Sequence, residues 1–595
     1  MVKKGATDRQ RLLDAEISFV GKQERHGKTA VALIYANTYH LGMSNLGFQT
    51  VYRLLNELDG IVCERSFLPD QDVANTGDII SIESGRPIST FDIVAISLSF
   101  ENDYPNLLTI LQKAGLPFRS IHRNETHPLI IAGGVTCLLN PAPIAPFIDC
   151  FLIGEAEANL PGFMRIVQET DTRETLLLRA SQEIEGIYVP GFYREIYHPD
   201  NTFQELKPLK NVPHVIKKAY VRDITRTPAC SAIVTPNTTF DQTYLIEVSR
   251  GCPHGCRFCG AGFVYRPPRF RDPHLLVSCL HHGRAQTHKI GLVGAAVSDL
   301  PGLGDICRAA ESTQALVSFS SLRADALDQD LISHLSKSKV KTATIAPDAG
   351  SERLRRCINK GISEKSILAA AEALVTEGIP NLKLYFMIGL PTETMQDIEA
   401  IIELCKKVKH VFLKSSRIKG RMGTISVSIN SFVPKPHTPF QWAAMDDIQT
   451  LKLKRKHIQK GLKRVPNIRM NADIPRGAYV QALLSRGDMR VADILEAVHG
   501  NEGNWPKTLK ASTLDTDFFV HRQRATNENF PWDFIDHGIR KSFLLAEYRK
   551  AVRGDTTPPC DVEVCRKCGV CNDKNNLKAF LHYGSSFKAI EKPNS

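Results

Sequence analysis

No uninterrupted apolar stretch of about 18 residues occurs in the chain, which argues against a membrane-spanning helix. The opening run Met1-Val-Lys-Lys-Gly-Ala-Thr-Asp-Arg-Gln10 lacks the apolar core of a secretory signal, so a cytoplasmic protein with no membrane partner is expected. No Gly-x-Gly-x-x-Gly follows the first apolar run, and the dinucleotide fingerprint is therefore missing. Acidic residues are the minority, 63 against 75 Lys and Arg, for a net charge of +12. What remains is an ordinary globular composition, 595 residues at 43% hydrophobic content, enough for about three or four domains. Fifteen cysteines are present; seven form two tight clusters and Cys63, Cys137, Cys150, Cys230, Cys279, Cys307, Cys357 and Cys405 are scattered singly. That pattern fits reduced thiols and metal sites better than a disulfide framework.

The first cluster is Cys252, Cys256 and Cys259 in Glu247-Val-Ser-Arg-Gly-Cys-Pro-His-Gly-Cys-Arg-Phe-Cys-Gly260. A 4Fe-4S cubane normally takes four thiolates, so three with no local fourth leave one iron for a cofactor or substrate. Zinc is the competing reading, but it usually closes with four ligands, and the nearest histidine, His254, lies inside the loop itself. The run resembles the Cys-x-x-x-Cys-x-aromatic-Cys signature of the radical S-adenosylmethionine (radical SAM) superfamily, with Phe258 at the aromatic position. The resemblance implies that the open iron chelates the amino and carboxylate groups of S-adenosylmethionine. One electron, from a reductant such as flavodoxin or ferredoxin, would then cleave a carbon–sulfur bond to give a 5'-deoxyadenosyl radical.

Short apolar runs at 29–35, 92–99, 128–134 and 148–154 are mostly separated by helix-length stretches, which predicts a doubly wound parallel α/β sheet with ligands at the strands' carboxyl ends. A second series, 244–249, 290–293, 315–321, 342–346, 382–388 and 425–430, predicts a partial (β/α)6 barrel. Two helices are legible between its strands: one capped by Ser363 with an apolar stripe Ile367, Ala370, Ala371 and Leu374, the other capped at Thr394 and running from Ile398 to Lys407. The expected layout is an arm over 1–29, a Rossmann-like cobalamin-binding-type domain over 30–175, a proline-interrupted connector over 176–235, a radical SAM barrel over 236–445, a helical region over 446–550 and a Cys-rich tail over 551–595.

The amino-terminal layout resembles the cobalamin-binding domain of many radical SAM enzymes. That resemblance assigns Gly42, Ser97, Ser99, Gly133 and Gly134 to the corrin, with Tyr39 of Asn37-Thr-Tyr-His-Leu-Gly42 standing where the family's axial histidine would be. Either cobalamin binds without a histidine from the protein, or the domain is a scaffold without a corrin. By the same resemblance the S-adenosylmethionine contacts are Phe258, Gly294 and Ala295 after the second barrel strand, Ser320 and Arg323 after the third, and Gly389 and Glu393 after the fifth. A guanidinium such as that of Arg323 can fork onto a carboxylate. The acidic residue of the family's Gly-Gly-Glu motif is absent here.

Near the end, Cys565, Cys568 and Cys571 follow Cys-x-x-Cys-x-x-Cys spacing with Cys560 five residues earlier. Four thiolates suit either an auxiliary 4Fe-4S cluster or structural zinc. The basic stretch 451–464 could grip RNA or form a solvated helix on the barrel. Together these features imply a radical SAM enzyme, a cobalamin-dependent transferase working by radical methylation or rearrangement at an unactivated carbon. A methylthiotransferase-like RNA-modifying enzyme and a non-catalytic iron-sulfur electron carrier are the alternatives.

Overall fold

The computed structural model describes residues 2–21, 24–69, 77–320, 322–419 and 423–572; Ser321 and the tail beyond 572 lie outside the described residues. Six strands form the amino-terminal sheet: β1 Thr29–Thr38, β2 Ile61–Leu68, β3 Ile93–Ser97, β4 Leu129–Gly133, β5 Cys150–Leu152 and β6 Ile187–Tyr188. Their order is β2-β1-β3-β4-β5-β6, parallel throughout except for β6. Strands buried on both faces are continuously apolar, and Val31, Ala32, Ile34, Val94 and Ile130 are accordingly fully buried. The order reverses on either side of β1, and a crevice opens at such a switch point, outside the strands' carboxyl ends.

Strand β2 escapes the apolar-run reading because Glu64 and Arg65 stand in its middle. Both are buried, and Arg65 is neutralised by Glu16 at 2.8 Å and Glu83 at 2.6 Å. Strand β6 pairs with β5, so the sheet extends past residue 175 into the expected connector.

Two further parallel sheets follow. One joins β7 Thr243–Glu247, β8 Lys289–Val293 and β9 Leu316–Phe319; the other joins β10 Thr342–Asp348, β11 Asn381–Ile388, β12 Ile425–Ser431 and β13 Ile468–Ala472. The first six match the expected barrel strands. Strand β13, parallel to β12, lies where a helical region was expected, because a short edge strand with mostly half-exposed or exposed residues carries little apolar signal. Ser363 caps Glu364–Thr376 by accepting from the Ser366 amide, and the predicted stripe is buried. The following helix, Met395–Lys419, runs well past Lys407.

Side chains crossing between segments hold the sheets together. Asn140 donates to the carbonyls of Ser485 and Gly487, Arg119 pairs with Glu496 at 2.7 Å, and Lys435 meets Glu101 at 2.5 Å. Among the described residues, no helix is long and apolar enough to cross a membrane. Removing one partner of a buried ion pair leaves the others uncompensated, so Arg65→Met is expected to lower unfolding stability by about 3–5 kcal/mol, with much of the loss recovered when Glu16 and Glu83 are also replaced by apolar residues. Denaturant midpoints of the three proteins check this.

Candidate active site

The cysteine loop leaves β7 through Ser249–Arg250, which pairs antiparallel with Arg269–Phe270. Gly251 then takes a φ of 82°, and a Cβ there would lie 2.6 Å from the Tyr265 carbonyl, so only glycine makes this entry. The fully buried Arg257 anchors the loop's centre. Its amide donates to Ile358 O, and its guanidinium donates to the carbonyls of Arg356 and Cys357 and, at 3.0 Å, to Glu547 on the helix Lys541–Arg553. Asn359 holds Gly255 through its carbonyl. His254 is engaged by Asp299 at 2.5 Å and is therefore paired away from the thiols. Phe258 packs against the apolar group that contains Ala349, Leu354 and Phe432, fixing the loop rather than lining open space.

Burial pushes the Cys252 thiol up to about 11 and Cys256 to about 12, while Arg323 acts in the opposite sense on Cys252 and Lys360 on Cys256 and Cys259. These buried cations suit a centre that carries negative charge once thiolates are bound. Among the described residues, no three His, Cys, Asp or Glu side chains converge tightly enough for a single ion. Three thiols with no local fourth suit a cubane that leaves one iron open better than zinc, which closes with four ligands. The loop fits the cluster.

A cavity of about 580 Å³ joins this loop to the amino-terminal sheet. Ser97, Ser99, Gly133 and Gly134 line it at the ends of β3 and β4; Gly251, Gly294 and Ala295 line it at the ends of β7 and β8. Gly134 has a φ of 117°, and a Cβ on it would collide with the Leu98 carbonyl. Asn45 donates to Ser99 Oγ at 3.0 Å across the switch point. An apolar arm of the same cavity runs beside Val31, Leu33 and Ile131 of the sheet, and Leu55, Leu160 and Met164 of the helices Leu46–Glu57 and Ala156–Glu169.

Where sheet and loop meet, Glu155 accepts from Arg269 at 2.6 Å and Arg250 at 2.8 Å. Arg250 also pairs with Glu157 and Glu247, and Arg271 with Glu247. Burial alone would raise the Glu155 carboxyl, but Arg269 and Arg250 hold it down at about 2. No local pattern ties Glu155 to Arg250 and Arg269, which lie about a hundred residues further along the chain.

Other residues expected to contact the cofactors are engaged by protein partners in the structure. Tyr39 points away from the cavity: its hydroxyl donates to Glu16 at 2.6 Å and its ring packs edge-on against Phe67. Gly42 also lies beneath Phe67 and outside the cavity. The fork of Arg323 is already occupied by Asp325, at 3.0 and 2.8 Å, although the residue does sit beside the cysteine loop. Glu393 is buried in the barrel wall, accepting from the Gly389 amide at 2.7 Å and pairing with Lys454 at 2.7 Å. Ser320 spans two strand ends, accepting from the Gly294 amide and donating to its carbonyl.

The basic stretch forms the helix Ile448–Leu462 with Leu451, Ile458 and Leu462 buried against the barrel. Lys454 is buried as well and bonded to Glu393 and Asp446; Lys452, Lys456 and Lys460 are exposed. Of the terminal cysteines, Cys568 and Cys571 are buried, and Cys560 and Cys565 are partly exposed. The eight scattered cysteines are all free and buried.

Residues 47–190 match the family model for the amino-terminal region of radical SAM proteins, and residues 246–405 match the model of the radical SAM superfamily. The uncharacterized protein MJ0966 of Methanocaldococcus jannaschii is 32% identical over 520 residues, covering 87% of this chain and 98% of the relative. Among solved structures, the radical S-adenosylmethionine methyltransferase TsrM from Kitasatospora setae, with cobalamin and a [4Fe-4S] cluster bound, is similar at a TM-score of 0.45 and 12% identity, covering 69% of this chain and 74% of that one. Coproporphyrinogen III oxidase from Escherichia coli, a radical SAM enzyme, is similar at a TM-score of 0.28 and 15% identity, over 37% of this chain and 52% of that one.

Two outcomes follow from this geometry. Because the folded Glu155 carboxyl lies below its ordinary value of about 4.3, its contribution is present above that pH and is lost as pH falls toward about 2. Acid unfolding curves of Glu155→Gln should therefore be flatter than those of the parent across that window. Arg257→Ala removes the loop's anchor while Glu547 keeps Lys550 at 2.7 Å, so it should cost about 1–3 kcal/mol and lower iron retained by the cysteine loop after anaerobic reconstitution.

Proposed function

The chain belongs to the radical SAM superfamily, and we propose that it is a cobalamin-dependent radical SAM enzyme that methylates or rearranges an unactivated carbon. Cys252, Cys256 and Cys259 would hold a 4Fe-4S cluster; when reduced, it supplies the electron that cleaves the carbon–sulfur bond of S-adenosylmethionine. Gly294 and Ala295 offer main-chain contacts beside the loop, while Ser320 fixes the backbone of Gly294. The electron would come from a flavodoxin- or ferredoxin-type reductant. The terminal cysteines would hold a second metal centre.

The observation that carries the cobalamin reading is the continuous cavity, because a reaction using two cofactors needs both within reach of one substrate. Ser97, Ser99, Gly133 and Gly134 would face a corrin, which supplies a carrier for the methyl group. The apolar arm beneath the sheet suits the aromatic base at the end of cobalamin's nucleotide tail.

Anaerobic reconstitution with iron, sulfide and cobalamin tests the reading. Retained corrin absorbance, with 5'-deoxyadenosine or S-adenosylhomocysteine formed from S-adenosylmethionine, is the expected result. Neither product would reject the enzyme, and product formation without corrin retention would reject the cobalamin. Gly133 lines the cavity, and a Cβ there would find its nearest atom, the Leu152 carbonyl oxygen, at 3.6 Å, so the backbone tolerates a side chain. Gly133→Leu should weaken corrin binding by at least about tenfold and leave the iron content of the cysteine loop unchanged.

A further inference from the structure

The tail that carries the second cysteine group is seated on the loop that carries the first. The Cys560 amide donates to the carbonyl of Pro253, the residue after Cys252, at 2.7 Å. Three residues earlier, Thr557 is bound to Asn359, whose side chain also holds Gly255 inside the first loop. Thr557 further donates to Glu547, the partner of Arg257 between Cys256 and Phe258. From the other side, Arg266 donates to the carbonyl of Gly262, whose own amide bonds the carbonyl of Cys259. The same guanidinium is close enough to Cys560 and Cys571 to act on both thiols.

Within the tail the four cysteines form one group. The chain folds back between them, the Cys565 amide donating to the Asp561 carbonyl at 2.8 Å, and Arg540 fixes the segment by donating to the carbonyls of Lys567 and Cys568. The Cys-x-x-Cys-x-x-Cys spacing of Cys565, Cys568 and Cys571, with a fourth thiol outside it, is that of a bacterial ferredoxin run, whose thiolates bind separate irons. Four protein thiolates fill every iron of a cubane, so such a centre has no corner for a substrate and is fitted to pass electrons.

We propose that Cys560, Cys565, Cys568 and Cys571 bind a second 4Fe-4S cluster that serves as the electron entry to the radical SAM cluster, with the Cys560–Pro253 hydrogen bond and the Thr557–Asn359 pair as the contacts between the two. One electron leaves a reduced flavodoxin- or ferredoxin-type carrier, which is oxidised. It passes through the terminal cluster to the first cluster and is consumed in the cleavage of the sulfonium; no bond or proton changes in the relay itself. The inference rests on the 4Fe-4S reading of the first loop and is independent of whether cobalamin binds.

The full chain, reconstituted anaerobically, is assayed for iron, sulfide and zinc and by electron paramagnetic resonance after reduction. The expected result is about eight irons per chain, falling to about four both in Cys565→Ala/Cys568→Ala and in the variant with Cys252, Cys256 and Cys259 replaced by Ala. The reduced parent should show magnetic interaction between two clusters, absent from both variants. With a reduced flavodoxin as donor, S-adenosylmethionine cleavage in Cys565→Ala/Cys568→Ala should fall at least about tenfold, and with dithionite, which reaches the first cluster directly, it should fall much less. About four irons with one zinc in the parent would overturn the proposal, as would eight irons without magnetic interaction, or equal losses with both donors. If the first-loop variant keeps four irons while the parent cleaves no S-adenosylmethionine, the proposed function fails and the second cluster stands.

Discussion

The buried charges around Glu155 are the constraint on which the site depends. Two parallel sheets meet with their carboxyl ends facing one cavity, and the side chains that fix this meeting are Glu155 from the amino-terminal sheet and Arg250 and Arg269 from the strand pair that introduces the cysteine loop. Desolvating such groups offsets most of their mutual attraction, so pairs of this kind contribute little net stability compared with apolar packing. Their contribution is directional. A carboxylate held by two guanidiniums tolerates little sliding, and the register between the sheets is set where the cofactors would have to meet.

The cysteine loop illustrates the same economy on a smaller scale. Its residues make few regular backbone pairings, and its shape is imposed from outside by Arg257, Asn359 and Phe258, which reach into the barrel and the terminal helix. Each residue between the cysteines therefore has an occupation. Pro253 presents a carbonyl to the tail, His254 is tied to Asp299, and Arg257 is consumed by Glu547 and two carbonyls. Only the thiols are left without a structural task.

How much was legible in the sequence follows from the range of each signal. The cysteine spacing and the helix cap at Ser363 are encoded within a few residues, and they were read directly. Six barrel strands were visible because each keeps buried apolar residues, such as Leu245 and Ile246, Ile290 and Leu292, or Leu382, Leu384 and Phe386; β2 was missed because Arg65 is neutralised by Glu16 and Glu83, and Glu64 is held by the hydroxyls of Ser81 and Ser84, all outside the strand. Partners of that kind cannot be inferred from the strand itself. Arg323 and Glu393 were selected for their chemistry at the right strand ends, yet Asp325 and Lys454 had already engaged them. The docking of the tail on the loop joins residues about 300 apart and had no local trace.

The position of Tyr39 bears on what a corrin in this cavity would experience. Burial and the adjacent Glu16 raise the phenol well above its ordinary range, so it remains a neutral donor turned into the protein. His40 is exposed and faces Thr239 Oγ1 at 3.3 Å, one residue out of register with the family's histidine. Neither side chain lines the cavity, whose polar groups include Ser44, Asn45, Ser97 and Ser99, while its carboxylates Glu155 and Glu247 are tied to arginines. Hydroxyls and a carboxamide bind metals far more weakly than imidazole does. A cobalt centre held here would therefore find no imidazole of the protein among the residues that line the cavity.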